Sequence, residues 1–449
     1  MTGKRAETSL SHSIVWFAGS YAVAVLGYLA LNAVAARWLG TSDFGYFVVV
    51  LTVTGLVAQI GLVGVHRSGL REAARMRGDT DLETMAELRN GVRAVVLTTL
   101  PATGIISAAV TWALTGEEDT GTRVALALSV GALVVLSGHQ KLWANYLRGF
   151  GYVRLSGMIE GRSGGALVAG LQALLLLVGW LLLPAWGLTG ALVAVAVGYA
   201  VPVLAARYVV HRHWRAARGV RPHVGRDLKK TLRRDWRFVS VQVATYLNIN
   251  VEIWVAAALL SAAATSEFTA ALRLTQILVL PMTALQVVFA PAIARMTHRG
   301  DLLGVQTVLR TGATLAGAMT LVLWLPMLVA PGAVLGLVYG EGFRDGGLVL
   351  VLLSVGFIVN VLMGLAGTTL SMAGKEGLGA QVQWAGVVLR VVLVVPAALW
   401  GGVVGLAVAA SLVSSLVFVA MWARTRRELG VSTHVTLRPD LHLLRRTAG

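Results

Sequence analysis

Apolar stretches of 18 residues or more recur along the whole of this 449-residue chain. Each stretch is long enough to cross the hydrocarbon core of a bilayer, about 30 Å thick, as a helix. Hydrophobic residues make up 56% of the chain and charged residues only 13%, whereas a soluble protein carries about 25% charged residues. The pattern therefore predicts an all-α polytopic membrane protein.

Twelve transmembrane spans are predicted from these stretches. They lie near residues 14–36, 44–65, 92–114, 123–144, 158–183, 187–209, 237–260, 268–294, 308–330, 347–372, 379–400 and 402–423. The first span ends at Ala33-Val34-Ala35, which could pass for a signal-peptidase site. Because its apolar region is longer than that of a signal peptide, we expect it to be retained.

The basic residues indicate the orientation of these spans. Of the 38 Lys and Arg residues, 32 fall in loops or at span edges on the side that holds both termini and three on the opposite side. The last three, Arg162, Arg273 and Arg390, lie further inside predicted spans. Lys and Arg are concentrated in cytoplasmic loops, so both termini are predicted to lie in the cytoplasm, with the protein in the cytoplasmic (inner) membrane. This arrangement accounts for the net charge of +17, and we expect no nucleic-acid partner.

Short segments recur at a spacing near 220 residues, each at the same place within a set of six spans. Three pairs correspond: residues 41–44 with 265–268, residues 147–151 with 370–374, and residues 187–190 with 402–405. An even number of spans per repeat makes both repeats point the same way. The sequence therefore predicts two parallel six-helix lobes around a central cavity.

The predicted lobes are residues 1–210 and 237–425. Residues 211–236 form a basic cytoplasmic linker between them, and residues 426–449 form a basic cytoplasmic tail. Clustered Lys and Arg next to a membrane attract anionic lipids. We therefore expect contacts with anionic headgroups at the cytoplasmic face, although the same charge also suffices to set the topology.

Several short motifs lie at the ends of the predicted spans. The main one follows the first span and reads Ala36-Arg37-Trp38-Leu39-Gly40-Thr41-Ser42-Asp43-Phe44-Gly45-Tyr46. The others are Gly61-Leu62 before a basic loop with Arg67 and Arg71, Leu147-Arg148-Gly149-Phe150-Gly151, and Gly187-Leu188-Thr189-Gly190. Together these motifs resemble those of the polysaccharide or O-antigen flippases of the multidrug/oligosaccharidyl-lipid/polysaccharide (MOP) exporter superfamily. The resemblance extends over nearly the whole chain.

This resemblance implies a V-shaped transporter with two six-helix lobes and alternating access. It implies a cargo such as polyprenyl-pyrophosphate-linked oligosaccharide, moved from the inner to the outer leaflet for surface polysaccharide assembly. Lipid II flippases typically add two further spans, and that subgroup is less favoured because none is visible. We expect a monomer that works beside the polysaccharide assembly machinery.

The sequence predicts no metal site and no cofactor. It contains no cysteine, which excludes disulfides and thiolate ligands. It also lacks the Gly-x-x-x-x-Gly-Lys-Ser/Thr loop that would hold a nucleotide phosphate. Coupling to protons, to sodium or to the membrane potential therefore remains as the source of energy.

Charged side chains inside spans cost about 2.5–3.5 kcal/mol each at the membrane centre and are functional candidates by default. Arg273 and Glu252 lie near the outer ends of adjacent predicted spans, at similar depth. Two interpretations stay open for them. They form a structural ion pair, or Arg273 binds cargo phosphate while Glu252 couples a proton.

Arg390 lies midway along the eleventh predicted span without a carboxylate on its own helix. Because exposure to lipid would be so costly, we expect it to face protein or water and to be a second phosphate contact. Glu160 and Arg162, at the start of the fifth span, are a candidate gate, and snorkelling to the interface is the alternative for Arg162. The family resemblance adds further candidate cargo contacts: Asn32, Arg37, Gln59, Asn248 and Gln276.

Two other functions compete with the flippase interpretation. A multidrug or cation exporter of the same superfamily would favour carboxylates and aromatic side chains, but the predicted spans hold three Arg and two Glu, which favours an anionic cargo. A membrane glycosyltransferase or polymerase would need a sizeable outer loop. The longest, near residues 331–346, offers only three charged side chains, so we do not expect an enzyme.

Overall fold

A computed structural model describes residues 3–75, 82–160, 165–214, 224–286, 289, 296 and 301–439. Almost all of these residues are helical, and no β-strand occurs among them. Part of the predicted linker (215–223) and part of the predicted tail (440–449) lie outside the described residues.

The described residues of the first half form eight α-helices. They are α1 (Gly3–Gly61), α2 (Val65–Arg75), α3 (Leu82–Leu97), α4 (Thr99–Leu114), α5 (Thr120–Gly149), α6 (Val153–Ile159), α7 (Ala166–Leu182) and α8 (Gly187–His213), with a 3₁₀ turn at Pro184–Trp186. Helix α1 is kinked at Gly40, whose φ of 65° is non-helical. This kink falls between the first and second predicted spans.

The described residues of the second half continue with α9 (Val224–Leu259), α10 (Ala262–Thr275), α11 (Leu302–Val329), α12 (Pro331–Tyr339), α13 (Gly347–Met363), α14 (Ala366–Met372) and α15 (Glu376–Leu429). Two 3₁₀ turns lie at Gln276–Val279 and Glu341–Gly346. Helix α15 is kinked at Gly402, with φ 56°, at the start of the last predicted span.

The chain divides into two compact units. The N-unit is Ser20–Tyr246, and the C-unit is Leu247–Gly449 together with Met1–Gly19. In the N-unit, α5 packs against α2, α4 and α8. Its core contains an aromatic cluster in which Trp214 makes edge-on contacts with Trp143 and Tyr146, at centroid distances of 5.9 and 5.2 Å.

The C-unit is built on the packing of α13 against α15, α11 and α10. After α15 the chain turns at Gly430 and lies against this packing. The Val435 amide donates to the Leu362 carbonyl at 3.0 Å, and the Thr433 hydroxyl donates to the Met363 carbonyl at 2.6 Å. We call residues 431–436 the docked tail; this attachment was not anticipated for a segment predicted only to be a basic tail.

Eight helical stretches in the described chain are long and apolar enough to cross a membrane. Two of them, Val23–Gly61 with 39 residues and Gly377–Leu429 with 53, are each longer than the roughly 20 residues that one crossing needs. Many large apolar side chains are exposed, among them Leu182 at 73% and Trp400 at 89%. Exposed apolar surface of this extent indicates contact with lipid, and the arrangement is compatible with twelve crossings.

The repeated segments share unusual backbone conformations. Gly187 has φ 44° and ψ −131°, and its counterpart Gly402 has φ 56° and ψ −144°. Gly151 and Gly374, the last residues of another matched pair, have φ 93° and 72°. Glycine adopts these positive φ values without the steric cost that other residues incur, so the matched glycines reflect equivalent turns in the two units.

Candidate functional site

A buried ion pair lies in the C-unit. Arg390 on α15 pairs with Glu252 on α9, and the two residues are only 6% and 3% exposed. Both come from the short list of charged residues that the sequence places inside spans. The partner found for Glu252 is thus Arg390 of α15, a residue that the sequence analysis had not linked to it.

Neutral polar groups complete this pair into a network. The Arg390 Nε donates to Asn248 Oδ1 at 3.1 Å, and its Nη2 donates to Ser414 Oγ at 2.9 Å. The Asn248 Nδ2 in turn donates to the Gln383 carbonyl oxygen at 2.7 Å and to its Oε1 at 2.9 Å. Because a buried charge is tolerated only when it is paired and hydrogen-bonded, the network explains how α15 keeps an arginine within an apolar stretch.

A glycine lets the two helices approach closely enough for these bonds. A Cβ at Gly386, one turn before Arg390, would lie 3.1 Å from Asn248 Oδ1 and 2.7 Å from a methyl carbon of Val417. A side chain at this position would therefore require the Asn248 and Val417 side chains to shift. Small residues serve this purpose commonly in membrane helices.

The N-unit holds a polar cavity of about 200 Å³. Its charged lining groups are Lys141 of α5 and Glu160, which follows α6. The remaining lining residues are Leu51, Thr54, Gly55, Leu133, Ser137, Gln140, Tyr199 and Tyr246. The cavity therefore combines one basic group, one acidic group, two tyrosines and several neutral polar groups.

Glu160 is held in place by its neighbours on α5. Its Oε2 accepts from Asn145 Nδ2 at 3.0 Å and lies 4.0 Å from Arg148 Nη2. The Gln140 side chain donates to the Ile159 carbonyl at 2.7 Å, which fixes the end of α6. Arg162, the second residue of the predicted gate, lies outside the described residues.

His66, in α2 and outside the apolar stretches, lies in the buried part of the N-unit with 2% exposure. Burial lowers its pKa to about 3, and the positive charges of Arg67 and Lys141 act in the same direction. The histidine is therefore neutral at physiological pH. Nearby, Asp235 of α9 is fully buried and accepts from Ser68 Oγ at 2.7 Å, which attaches α9 to α2.

The remaining candidates of the C-unit lie on α10. Arg273 is in its last turn and 7% exposed, and Gln276 follows the helix end at the start of a 3₁₀ turn. Pro281 lies two residues after the end of this turn. Because a proline removes a backbone donor and crowds the carbonyl four residues before it, it accounts for the interrupted helix at this depth.

The remaining candidates of the N-unit lie on α1. Asn32 is 2% exposed, and its Nδ2 donates to the Tyr28 carbonyl at 2.8 Å. Gln59 is 9% exposed, whereas Arg37 is exposed just before the Gly40 kink. Among the candidates predicted in this unit, the one that lines the cavity is Glu160.

Sequence reasoning gave little weight to Lys141 and none to Ser414, Tyr199 or Tyr246. Lys141 could have been found, because it is a lysine near the end of a predicted span. The others carry no distinguishing local pattern. In the described part of the chain, no group of three or more His, Cys, Asp or Glu could hold a metal ion.

Residues 9–297 match the protein family described as polysaccharide biosynthesis protein. This match covers more than half of the chain, and the protein belongs to that family. No curated protein sequence matches the chain.

Solved structures share the fold. An inward-facing multidrug resistance MATE family transporter of the MOP superfamily is 14% identical, with a TM-score of 0.69 over 92% of this chain and 94% of its own. Lipid II flippase MurJ, in an inward closed conformation, is 12% identical, with a TM-score of 0.64 over 96% and 90%. A MOP superfamily transporter from Pyrococcus furiosus is 15% identical, with a TM-score of 0.55 over 94% and 96%.

The predicted fold class is thereby confirmed: the chain is an all-α integral membrane protein with the fold of MOP superfamily transporters. The solved proteins with this fold are described as transporters and a flippase rather than as enzymes.

Proposed function

We propose that the protein flips a polyprenyl-pyrophosphate-linked oligosaccharide from the inner to the outer leaflet of the cytoplasmic membrane for surface polysaccharide assembly. The observation that carries this proposal is the match to the polysaccharide biosynthesis family over residues 9–297. The lipid II flippase among the proteins of this fold acts on a lipid-linked cargo by its description. The buried Arg390 supplies a group whose planar fork suits phosphate oxygens.

The Arg390–Glu252 pair suggests how cargo and ion movement are coupled. A buried guanidinium needs a compensating negative charge, which either the Glu252 carboxylate or a cargo phosphate can provide. Protonation of Glu252 would release Arg390 for the pyrophosphate. Departure of the cargo, together with loss of that proton from Glu252, would restore the pair. In this scheme Glu252 is the proton-coupling residue, and Arg273 is a second phosphate contact.

The other proposed contacts follow from the same function. The further cargo contacts would be Asn32, Arg37, Gln59, Asn248 and Gln276. Glu160 with Arg162 would act as the gate. Both termini would lie in the cytoplasm, with the lobes bounded at residues 1–210 and 237–425. The protein would act as a monomer beside the assembly machinery, with the basic segments 211–236 and 426–449 on anionic lipids.

A multidrug exporter is the second candidate function, because a multidrug resistance transporter has the same fold. A cation exporter would use the carboxylates of Glu252 and Glu160 to bind a cationic drug. In the structure both carboxylates already have basic neighbours, Arg390 and Arg148. Because these arginines already balance the negative charge of both carboxylates, a cationic drug gains little from them. An anionic cargo, in contrast, could compete with the carboxylates for the arginines.

Purified protein in proteoliposomes that contain a fluorescent polyprenyl-pyrophosphate-linked saccharide tests the proposal. We expect the protein to increase the fraction of saccharide that a lectin can reach in the opposite leaflet. Arg273→Ala and Arg390→Ala should abolish this transfer, whereas Arg344→Ala, an exposed residue paired with Glu341, should not.

Each result has a distinct consequence. Transfer of a cationic dye such as ethidium, without transfer of the saccharide, would establish the exporter instead. An Arg273→Ala protein that transfers saccharide at the parental rate would show that Arg273 is not a phosphate contact.

A further inference from the structure

The N-unit cavity is shaped by a glycine and a tyrosine. A Cβ at Gly55 of α1 would overlap the hydroxyl group of Tyr246, so the glycine provides the room in which this hydroxyl lies. The Tyr246 ring faces Lys141, whose Nζ lies 5.5 Å from the ring centroid, within the range of a cation–π contact. The wall of the cavity is therefore formed where α1, α5 and α9 pack together.

Two hydroxyl groups of the lining have acceptor capacity left for a ligand. The hydroxyl of Thr54 donates to the Val50 carbonyl at 2.7 Å, and that of Ser137 donates to the Val134 carbonyl at 3.3 Å. Since each hydroxyl has one donor and two lone pairs, its remaining capacity is to accept. Glu160 adds further acceptor oxygens.

Lys141 provides the complementary donors. Its ammonium carries three N–H groups and makes no hydrogen bond with the residues that the structure describes. The charges of Lys141 and Glu160 balance within the lining. A ligand that fits this set is neutral, donates several hydrogen bonds and accepts at least one.

A sugar ring has these properties, and a pyrophosphate does not. Sugar hydroxyls donate and accept, and the apolar face of a ring can lie against a tyrosine. A pyrophosphate has only acceptors, and Glu160 would repel its charge. The volume of about 200 Å³ is below the roughly 300–1,000 Å³ of a site for a drug-sized ligand, which suits one sugar unit.

We infer that the cavity of the N-unit binds a single neutral sugar unit of the cargo, with Lys141 and Glu160 as its polar contacts and Tyr246 as its aromatic wall. The inference rests on the proposed function only for the source of the sugar. It separates two tasks: the N-unit cavity recognises the saccharide, and arginines elsewhere hold the pyrophosphate.

Saturation-transfer NMR with the purified full-length protein tests this inference. The probes are the methyl glycosides of glucose, galactose, mannose and N-acetylglucosamine, together with inorganic pyrophosphate. We expect at least one glycoside to bind, and Lys141→Met to weaken its Kd roughly tenfold through loss of one charge-assisted hydrogen bond. Gly55→Ala, which displaces the Tyr246 hydroxyl, should also weaken binding.

Lys229→Met is the matched control, because Lys229 is exposed on α9 and does not line the cavity; it should leave the Kd unchanged. Size-exclusion profiles identical to the parent show that the variants are folded. The inference is overturned if no glycoside binds, if Lys141→Met binds the glycoside as tightly as the parent, or if pyrophosphate binds in a Lys141-dependent manner. If a glycoside binds but lipid-linked saccharide is not transferred, the proposed function is refuted and the sugar site remains supported. If lipid-linked saccharide is transferred but no glycoside binds, only the sugar site is refuted.

Discussion

The fifth helix of each unit begins differently, although the repeat relates the two positions. The spacing of 223 that relates residue 147 to residue 370 also relates Glu160 to Gln383. In the N-unit α6 ends at Ile159, and Glu160 lines the cavity. In the C-unit α15 continues through Gln383, which accepts two hydrogen bonds from Asn248.

The fourth helix shows the opposite difference. In the N-unit α5 is continuous through Lys141. At the same spacing the C-unit has Gly364, where φ is 74° and the helix breaks between α13 and α14. The docked tail lies against this break, since a Cβ on Gly364 would overlap the Thr433 carbonyl oxygen.

The N-unit and the C-unit thus hold two different kinds of polar site at related positions. The N-unit interrupts its fifth helix and leaves two charges facing a cavity. The C-unit keeps that helix whole and closes its charges into a bonded network. Lys141 and Glu160 face the cavity and can contact a ligand directly. Arg390 and Glu252 are bonded to each other, so their ion pair must break before either can bind a ligand.

The largest effect is expected for Glu252→Ala, because it leaves the Arg390 guanidinium buried without its partner. Breaking a buried ion pair from one side costs about 3–5 kcal/mol. The double variant Glu252→Leu with Arg390→Met removes both charges and should recover most of the free energy of unfolding. Denaturant unfolding in one detergent measures both; full transport activity in the double variant would show that the pair is only structural.

The break at Gly364 predicts the next largest effect. Alanine at a glycine-specific backbone position costs about 1–3 kcal/mol, and at Gly364 it also overlaps the tail. Gly374→Ala is the matched control, because Gly374 has a similar φ of 72° and nothing within 4 Å of its Cβ position. We expect Gly364→Ala to be the less stable variant and to speed amide hydrogen exchange at Val435; equal exchange in the two variants would contradict tail docking at the break.

Histidine titration offers a smaller effect that is specific to the N-unit. Between its folded pKa of about 3 and its ordinary value of 6.5, His66 binds a proton in the unfolded state only. The free energy of unfolding therefore falls as the pH is lowered, by about 1 kcal/mol between pH 7 and pH 5.5. His66→Gln should flatten this dependence relative to the parent, and parallel pH curves for the two proteins would argue against burial of the neutral ring.

The smallest effect is expected for the stability of Lys141→Met. Its ammonium faces a cavity, and Glu160 keeps Asn145 and Arg148 after the substitution. The change in free energy of unfolding should stay below about 1 kcal/mol, as for a weakly coupled pair. A loss as large as that of Glu252→Ala would show that the N-unit charges form a closed network too, and the contrast between the units would fail.

Much of the architecture could be predicted from the order of apolar and charged residues. Hydropathy predicts the span boundaries at which the helices kink, at Gly40 and Gly402. The repeat pairs Gly187 with Gly402, and the two share a backbone conformation. The docked tail could not be predicted, because its bonds are made by ordinary threonines and backbone amides to helices more than 60 residues away. No local pattern marks such contacts.

The candidate site divides in the same way. Arg390, Glu252 and Glu160 were identifiable because a charge in an apolar stretch is conspicuous. Their partners were not, since hydropathy reports how deep a residue lies and not which neighbour it faces. Depth linked Glu252 to Arg273 and gave no link to Arg390, and Lys141 had no visible connection to Glu160.

By itself the sequence determined that this chain is helical and lies in a membrane, because transfer of apolar side chains into lipid depends only on composition and length. The tertiary structure alone decided which charges are closed into a network and which face a cavity. That choice depends on helix rotation and close approach at glycines such as Gly386 and Gly55. Those contacts join residues that are far apart in the chain, and they determine where a charge can be compensated.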